Sequence, residues 1–400
     1  MTLDPWFEQS LESLKDNHLF RELPASWVGA DVNFCSNDYL GLSKHPEMKR
    51  VAKEAIDQFG LGSSGSRLVS GNSKAHVELE KLLADWYGKE DALFFNSGYN
   101  AGVGVISAVS GEGVIFSDQY NHASLVDGCR LSKAETVVYE HANMAHLESL
   151  LKQHSERFPQ WIVSETVFSM DGDKAPLNKL VELKKKYKAS LLIDEAHAVG
   201  VYGDLGRGLA EELGLFNEID LLLGMFGKAL GSFGAFAVGD KPIITWILNK
   251  ARSFIFTTAV PPLIAAANVK AIELVKGMKN ERLSLRKKAE VFRDFLKALD
   301  FVTEGDDSPI IPLLVGDPEN TLRLSKALKE EGIWVQAIRP PTVPKGMSRL
   351  RITLSLLHQE KEYQQFFTAL KKVRGETCPS WDRPMRDMPQ GASPSGACPA

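Results

Sequence analysis

The sequence predicts an α/β fold, with a mostly parallel seven-stranded sheet in a large domain and a smaller α+β domain at the carboxyl end. Two observations predict it. From about Asp91 to Val238, short apolar runs alternate with amphipathic segments, the rhythm of a parallel sheet covered by helices. After Pro261 and Pro262 the chain turns helical to about Leu299, then reads as strand, helix, strand, strand and helix to about Val373.

In chain order, residues 1–45 form an amino-terminal segment and 46–275 the large domain. The large domain opens with an amphipathic helix marked by Met48, Val51, Ala55, Ile56 and Phe59. A second helix carries Leu79, Leu82, Leu83 and Trp86 behind the N-cap candidate Ser73. The expected strands are Ala92–Asn96, Val114–Ser117, Thr136–Tyr139, Trp161–Glu165, Leu191–Asp194, Leu221–Met225 and Gly234–Val238. Between them, Leu147, Leu150 and Leu151 keep helical spacing, as do Leu177, Leu180, Val181 and Leu183 after Pro176. The small domain spans 276–373, and the Pro-, Gly-, Ser- and Cys-rich residues 374–400 read as a disordered tail.

Composition excludes several function classes. The 400 residues are 44% hydrophobic and 24% charged, the balance of a folded chain with room for two or three domains. Lys and Arg total 47 against 51 Asp and Glu, so no basic field exists to draw nucleic acid or an anionic membrane. Cys35, Cys129, Cys378 and Cys398 lack the spacing of a zinc site or a disulfide scaffold. The first ten residues do not read as a signal peptide, and no apolar run approaches eighteen residues. A soluble, cytoplasmic protein is expected, with no metal.

Two motifs mislead when taken alone. Asp194-Glu195-Ala196-His197 spells the box that follows the Walker B strand of some helicases, but neither Gly88-Lys89 nor Gly227-Lys228 completes a phosphate-binding G-x-x-x-x-G-K-[ST] loop. Gly60-Leu61-Gly62-Ser63-Ser64-Gly65 matches the dinucleotide fingerprint letter for letter. It follows a helix rather than a strand, and so reads as a glycine-rich loop near the active site.

The chemistry gathers at strand ends. Asp194 and His197 follow an apolar strand at its carboxyl end, where open α/β sheets bind ligands. The plainer reading is that Asp194 caps the next turn and His197 is a satisfied loop histidine. One strand later, Leu221–Met225 leads into Phe226-Gly227-Lys228-Ala229-Leu230-Gly231, a lysine enclosed by small residues. An amine in a partly dry pocket is a better nucleophile toward an aldehyde. A cofactor with a pyridinium nitrogen needs a buried carboxylate to hold its proton, so Lys228 and Asp194 explain each other as ligands of pyridoxal 5′-phosphate (PLP). The turn Ser97-Gly98-Tyr99-Asn100 opens a helix, where backbone N–H groups and the helix dipole suit a phosphate.

Over roughly residues 30–373 the chain resembles the α-oxoamine synthases. The matching segments are Asn33 to Leu42 (NFCSNDYLGL), Asn121-His122-Ala123-Ser124, Phe168-Ser169-Met170-Asp171-Gly172-Asp173, and the aspartate and lysine motifs above. The resemblance implies a PLP-dependent transferase fold type I (aspartate-aminotransferase-like). By it, His122 would stack on the cofactor ring, Asp194 would pair with its nitrogen, His197 would bond its hydroxyl and Lys228 would hold it as a Schiff base. Ser169 and the turn at Ser97, Gly98 and Tyr99 would bind phosphate, while Thr257 and Thr258 would reach the partner's phosphate in a homodimer. Met225 stands where relatives usually place a threonine, and methionine cannot donate a hydrogen bond to phosphate.

The segment from Ala337 to Gly346, with Arg349 to Leu354, most resembles the biotin-pathway branch of that family. This implies decarboxylative condensation of L-alanine with a pimeloyl thioester of coenzyme A or an acyl carrier protein. Arg351 and Asn37 would grip the alanine carboxylate, and His122 would assist as a proton donor; Arg21 and Arg339 are candidates to steer the acyl donor, and Thr342 is a further candidate for substrate binding. A glycine- or serine-using member and a catalytically silent binding subunit are the alternatives.

Overall fold

Every apolar run expected between 91 and 239 becomes a strand of one seven-stranded sheet. The computed structural model describes residues 3–23 and 32–377. Helix α1 (Leu3–Asp16), strand β1 (Val32–Asn33) and helices α2 (Pro46–Phe59) and α3 (Lys74–Tyr87) precede the first sheet strand, β2 (Asp91–Phe95). There follow α4 (Gly98–Val109), β3 (Val114–Asp118), α5 (Ala123–Leu131), β4 (Glu135–Tyr139), α6 (Met144–Gln153) and β5 (Gln160–Glu165). Next come α7 (Leu177–Tyr187), β6 (Ser190–Asp194), α8 (Leu209–Glu212), β7 (Leu221–Met225) and β8 (Ala235–Gly239). Helices α9 (Lys241–Lys250), α10 (Arg252–Ile255), α11 (Pro262–Lys276) and α12 (Lys279–Ala298) lead to β9 (Ile310–Gly316) and α13 (Pro318–Glu330). Strands β10 (Ile333–Trp334), β11 (Gln336–Ile338) and β12 (Ser348–Thr353) and helix α14 (Glu360–Thr377) complete the described residues.

The large sheet has the order β2-β8-β7-β6-β5-β3-β4, with β8 antiparallel to both of its neighbours and the other pairs parallel. Strands β3, β5, β7 and β8 are buried at every position, as expected of a sheet covered on both faces. Strand β4 lies at an edge, and Glu135 and Thr136 on it are exposed. From β3 the chain steps outward to β4, whereas from β5 it steps the other way to β6 and β7. The direction therefore switches between β3 and β5, which opens a crevice at the carboxyl ends of the strands. Helices α4 and α5 cross closely beside it: a Cβ added at Gly128 would lie 2.7 Å from the Gly102 carbonyl oxygen.

The chain divides into two compact units. One holds Asn37–Ser169 and Asp173–Arg286; the other holds the residues up to Ser36, Met170–Gly172, and those from Lys287 onward. The expected boundaries at 45 and 275 differ from these for physical reasons. Val32 and Asn33 pair in parallel with Ile333 and Trp334, which ties the amino-terminal strand to the smaller unit. At the other boundary, Arg282 donates to the carbonyls of Gly203 and Asp204, and Arg286 to the carboxylate of Glu212, so the first turns of α12 stay with the larger unit.

The smaller unit has an antiparallel sheet of order β11-β12-β9 and an aromatic core in which Phe34 lies 5.1 Å from Phe366 and Phe292 lies 4.6 Å from Phe367, ring to ring. Two details depart from the sequence reading. The single helical stretch expected to Leu299 breaks at Gly277, the C-cap of α11. Helix α14 also runs past Arg374 to Thr377, because the Arg374 guanidinium packs over Phe301 and donates to the Leu299 carbonyl. Residues 378–400, including Cys378, Cys398 and most of the expected tail, lie outside the described residues. Among the described residues no helix is long and apolar enough to cross a membrane.

Candidate active site

Three neighbouring strands deliver the central groups. Glu165 at the end of β5 is in register with Asp194 at the end of β6, and Asp194 with Leu223 of β7. Beyond β7, the turn at Phe226–Ala229 carries Lys228, whose Nζ lies 2.8 Å from His197 Nε2. The other ring nitrogen, Nδ1, lies 2.6 Å from the Tyr39 hydroxyl, which donates to Asn37 Oδ1 at 3.2 Å. Lysine, histidine, tyrosine and asparagine thus form one continuous run of polar contacts.

Asp194 is 3% exposed, and burial raises its carboxyl to about pH 6 although the Lys228 charge and the Ala196 N–H both act to lower it. The 2.8 Å bond from Ala196 N–H to Asp194 Oδ1 is the turn-capping contact of the plainer reading, so Asp194 braces its loop with a carboxylate screened from solvent. A buried carboxylate held above its usual range is suited to a cationic N–H donor, such as a protonated pyridine nitrogen. Burial and then Asp194 push Glu165 well above the ordinary carboxylate range. Glu195 does not join the site: it accepts from Thr166 Oγ1 and from the N–H groups of Leu209 and Ala210, and so holds its own loop.

His122 caps α5 from the loop after β3. Its backbone N–H donates to Glu165 Oε1 at 2.7 Å, and its Nδ1 accepts the Ser124 N–H at 3.2 Å. Accepting at Nδ1 leaves the ring proton on Nε2. The residue keeps an exposed side, while partial burial of the ring and then the Lys228 charge hold its pKa below the ordinary histidine value.

At the expected phosphate end, Ser97 is the N-cap of α4 and its side chain accepts the Asn100 N–H. The helix begins on Gly98, followed by Tyr99, so its first N–H groups lack intrahelical partners. A Cβ added at Gly98 would lie 2.5 Å from Met225 Sδ, so the thioether sits directly against the start of the helix. Asn96 Nδ2 donates to the Thr258 carbonyl, which brings the Thr257–Thr258 segment to the same turn. Ser169 is half-buried just before the chain enters the smaller unit.

The smaller unit holds the remaining candidates. Arg351 on β12 is buried and donates to Thr353 Oγ1 at 3.0 Å. Arg21 Nη2 donates to Thr342 Oγ1 at 3.2 Å, while Arg339 donates to the carbonyls of His18 and Phe20. Arg21, Arg339 and Thr342 are therefore brought together, with much of the Arg339 donor capacity directed to backbone.

His141 is held between two carboxylates. Its two ring nitrogens lie 2.8 Å from Asp118 and 2.9 Å from Asp173, and the ring stacks on Tyr120. The carboxylates come from β3 and the loop after β5, distant in sequence, so no local spacing announced them. The sequence reading also passed over Tyr39 and Glu165. Glu165 had a signal, an acid ending an apolar strand as Asp194 does, and Tyr39 lay inside the Asn33–Leu42 motif.

A family profile described as aminotransferase class I and II matches residues 30–370. An 8-amino-7-oxononanoate synthase of Geobacter sulfurreducens is 45% identical over 379 residues, covering 92% of this chain and 97% of that one. A serine palmitoyltransferase structure from S. paucimobilis with bound PLP-myriocin aldimine superposes with a TM-score of 0.88 at 30% identity, covering 94% of this chain and 99% of that one. The structure of 8-amino-7-oxononanoate synthase from Francisella tularensis gives a TM-score of 0.76 at 28% identity, covering 87% and 99%. Shared sequence over nearly the whole length, a shared fold and the strand-end lysine and aspartate lead to one assignment: the chain belongs to the aminotransferase class I and II family and, within it, to the α-oxoamine synthases.

Proposed function

We propose that this protein is a PLP-dependent acyltransferase that joins L-alanine to a pimeloyl thioester with loss of carbon dioxide, the 8-amino-7-oxononanoate synthase reaction of biotin biosynthesis. The observation that carries the proposal is the meeting of Lys228, His197 and Asp194 at adjacent strand ends in a chain 45% identical to a synthase of that name. The serine palmitoyltransferase fold superposes more closely, but at 30% identity that likeness speaks less for substrate choice.

PLP, when bound, supplies an aldehyde for the substrate amine and an electron-poor ring that takes up the electron pair released at the α-carbon. The residues present fit it. Asp194 would hold the proton at the ring nitrogen, and His197 would bond the ring hydroxyl. Lys228 would hold the cofactor through its amine and would serve as the base at the substrate α-carbon. His122 would face the cofactor, with its Nε2 proton available to the thioester oxygen. Ser97, Gly98, Tyr99 and Ser169 would hold the phosphate, Arg351 and Asn37 would take the substrate carboxylate, Arg21 and Arg339 would steer the acyl donor, and Thr342 would assist in substrate binding.

The enzyme works as a homodimer with Thr257 and Thr258 reaching the partner's phosphate. The loop 60–71 supports this: Gly65 O accepts the Ala259 N–H and Ser63 Oγ donates to Val260 O, so the loop and 256–260 form one surface on which Val69 is 84% and Phe256 70% exposed. An apolar patch of this kind suits a second copy. A cytoplasmic location agrees with the free thiols of Cys35 and Cys129. The acyl carrier is coenzyme A or an acyl carrier protein.

Borohydride reduction of the PLP-loaded protein should place a pyridoxyl group on the Lys228 peptide and none after Lys228→Ala. An adduct on another lysine would overturn the cofactor assignment. Turnover of alanine with pimeloyl-CoA or the carrier-protein thioester is expected to exceed that with glycine or serine; the reverse order would replace the substrate assignment.

A further inference from the structure

Tyr39 is fully buried, and its hydroxyl stands between two groups of the site. The oxygen lies 2.6 Å from His197 Nδ1 and donates to Asn37 Oδ1. A phenol has one proton to give. With that proton on Asn37 Oδ1, the oxygen accepts from Nδ1–H, so His197 Nε2 keeps its lone pair and accepts from the Lys228 ammonium at 2.8 Å. All three contacts then run in one direction, from Lys228 through His197 and Tyr39 to Asn37, each with one donor and one acceptor. The reverse order would set an Nε2–H against an ammonium, which has no acceptor, and would withdraw the phenol proton from Asn37 Oδ1.

We infer that Tyr39 is a positioning residue that sets two groups at once, holding His197 as the Nδ1–H tautomer and fixing the Asn37 amide so that its NH2 end is the donor for the substrate carboxylate. One buried hydroxyl thereby links the group that meets the cofactor to the group that meets the amino acid. The inference rests on the proposed function for the roles of His197 and Asn37, but its central observation, the polar run itself, does not.

The test compares full-length wild type, Tyr39→Phe and Asn37→Asp. Before PLP is added, imidazole nitrogen NMR reports the His197 tautomer; after loading, spectral titration gives the alanine dissociation constant. Tyr39→Phe is nearly isosteric and should abolish the preference for Nδ1–H, weakening alanine binding about fivefold to tenfold, the loss expected for one buried hydrogen bond. Asn37→Asp keeps an acceptor for the phenol, so it should retain the wild-type tautomer while losing more than about tenfold in alanine affinity, because the carboxylate meets a carboxylate. An Nδ1–H tautomer and wild-type alanine affinity in Tyr39→Phe would overturn the inference, as would an altered tautomer in Asn37→Asp. Failure of wild type to form a borohydride-trapped adduct at Lys228 would instead sink the proposed function, and the tautomer result would still decide the role of Tyr39 toward His197.

Discussion

Asp171 pairs with the guanidinium of Arg349, which is 1% exposed on β12. Arg349 also donates through Nε to the Met347 carbonyl. Asp171 belongs to the three-residue stretch, Met170–Gly172, by which the chain enters the smaller unit between two segments of the larger one. Gly172 beside it has a φ of +68°, and a Cβ there would fall 2.3 Å from the Ile310 carbonyl oxygen. Part of the motif at 168–173 is therefore an anchor rather than a ligand.

Removing the anchor should be severe. Asp171→Ala removes a buried carboxylate partner of the Arg349 guanidinium, for which a loss of roughly 3–5 kcal/mol is expected. Equilibrium urea unfolding measures it, and a loss below about 1 kcal/mol would show that the pair does not hold the segment. Gly172→Ala should destabilise as well, since it combines an unfavourable φ with a backbone clash.

His141 predicts a pH dependence. Burial alone would lower its pKa, but the bonds to Asp118 and Asp173 outweigh it and raise the group from 6.5 to about 9. A histidine raised on folding contributes stability that is fully present below its unfolded value, near pH 6.5, and is lost as pH rises through about 9. The contribution is on the order of 3 kcal/mol. His141→Gln should therefore cost most at pH 6 and progressively less toward pH 10; urea unfolding of both proteins across that range checks it, and a pH-independent difference would contradict it.

Met225 predicts a gain. Its sulfur lies against the first residue of α4, where it offers no proton to an anion. Met225→Thr supplies a hydroxyl donor and should tighten PLP binding about threefold to tenfold, read by titrating the PLP-free protein and following visible absorbance. Because Met225 is buried, the smaller side chain should also lower stability by about 1–3 kcal/mol. Unchanged or weaker PLP affinity would separate the residue from the phosphate.

The exposed surface around Val69 and Phe256 predicts the assembly. Val69→Asp combined with Phe256→Asp should convert a dimer to monomer in sedimentation at micromolar concentration, with activity falling in parallel if the sites are shared. A double variant that remains dimeric would place the interface elsewhere.

Much of this protein was legible in its sequence, for a local reason. Strands buried on both faces are written as apolar runs bounded by turns, so β2, β3 and β5 to β8 could be read without knowing their neighbours. Acids and the lysine that follow such runs declare their position at strand ends, as Asp194 and Lys228 do. Even Glu165 carried that signal.

Pairings between distant segments could not be read in this way. The sequence did not show that residues 333–334 form a strand that joins Val32 and Asn33 rather than the β11-β12-β9 sheet. It contained His141, Asp118 and Asp173, and also Tyr39 and His197, without showing that they meet. Periodicity records which side of an element is apolar, whereas a hydrogen bond depends on where two backbones pass each other after folding. The amino acids thus determined the elements and the kind of chemistry, and the crossing of loops at the strand ends decided which polar atoms came within 3 Å of one another.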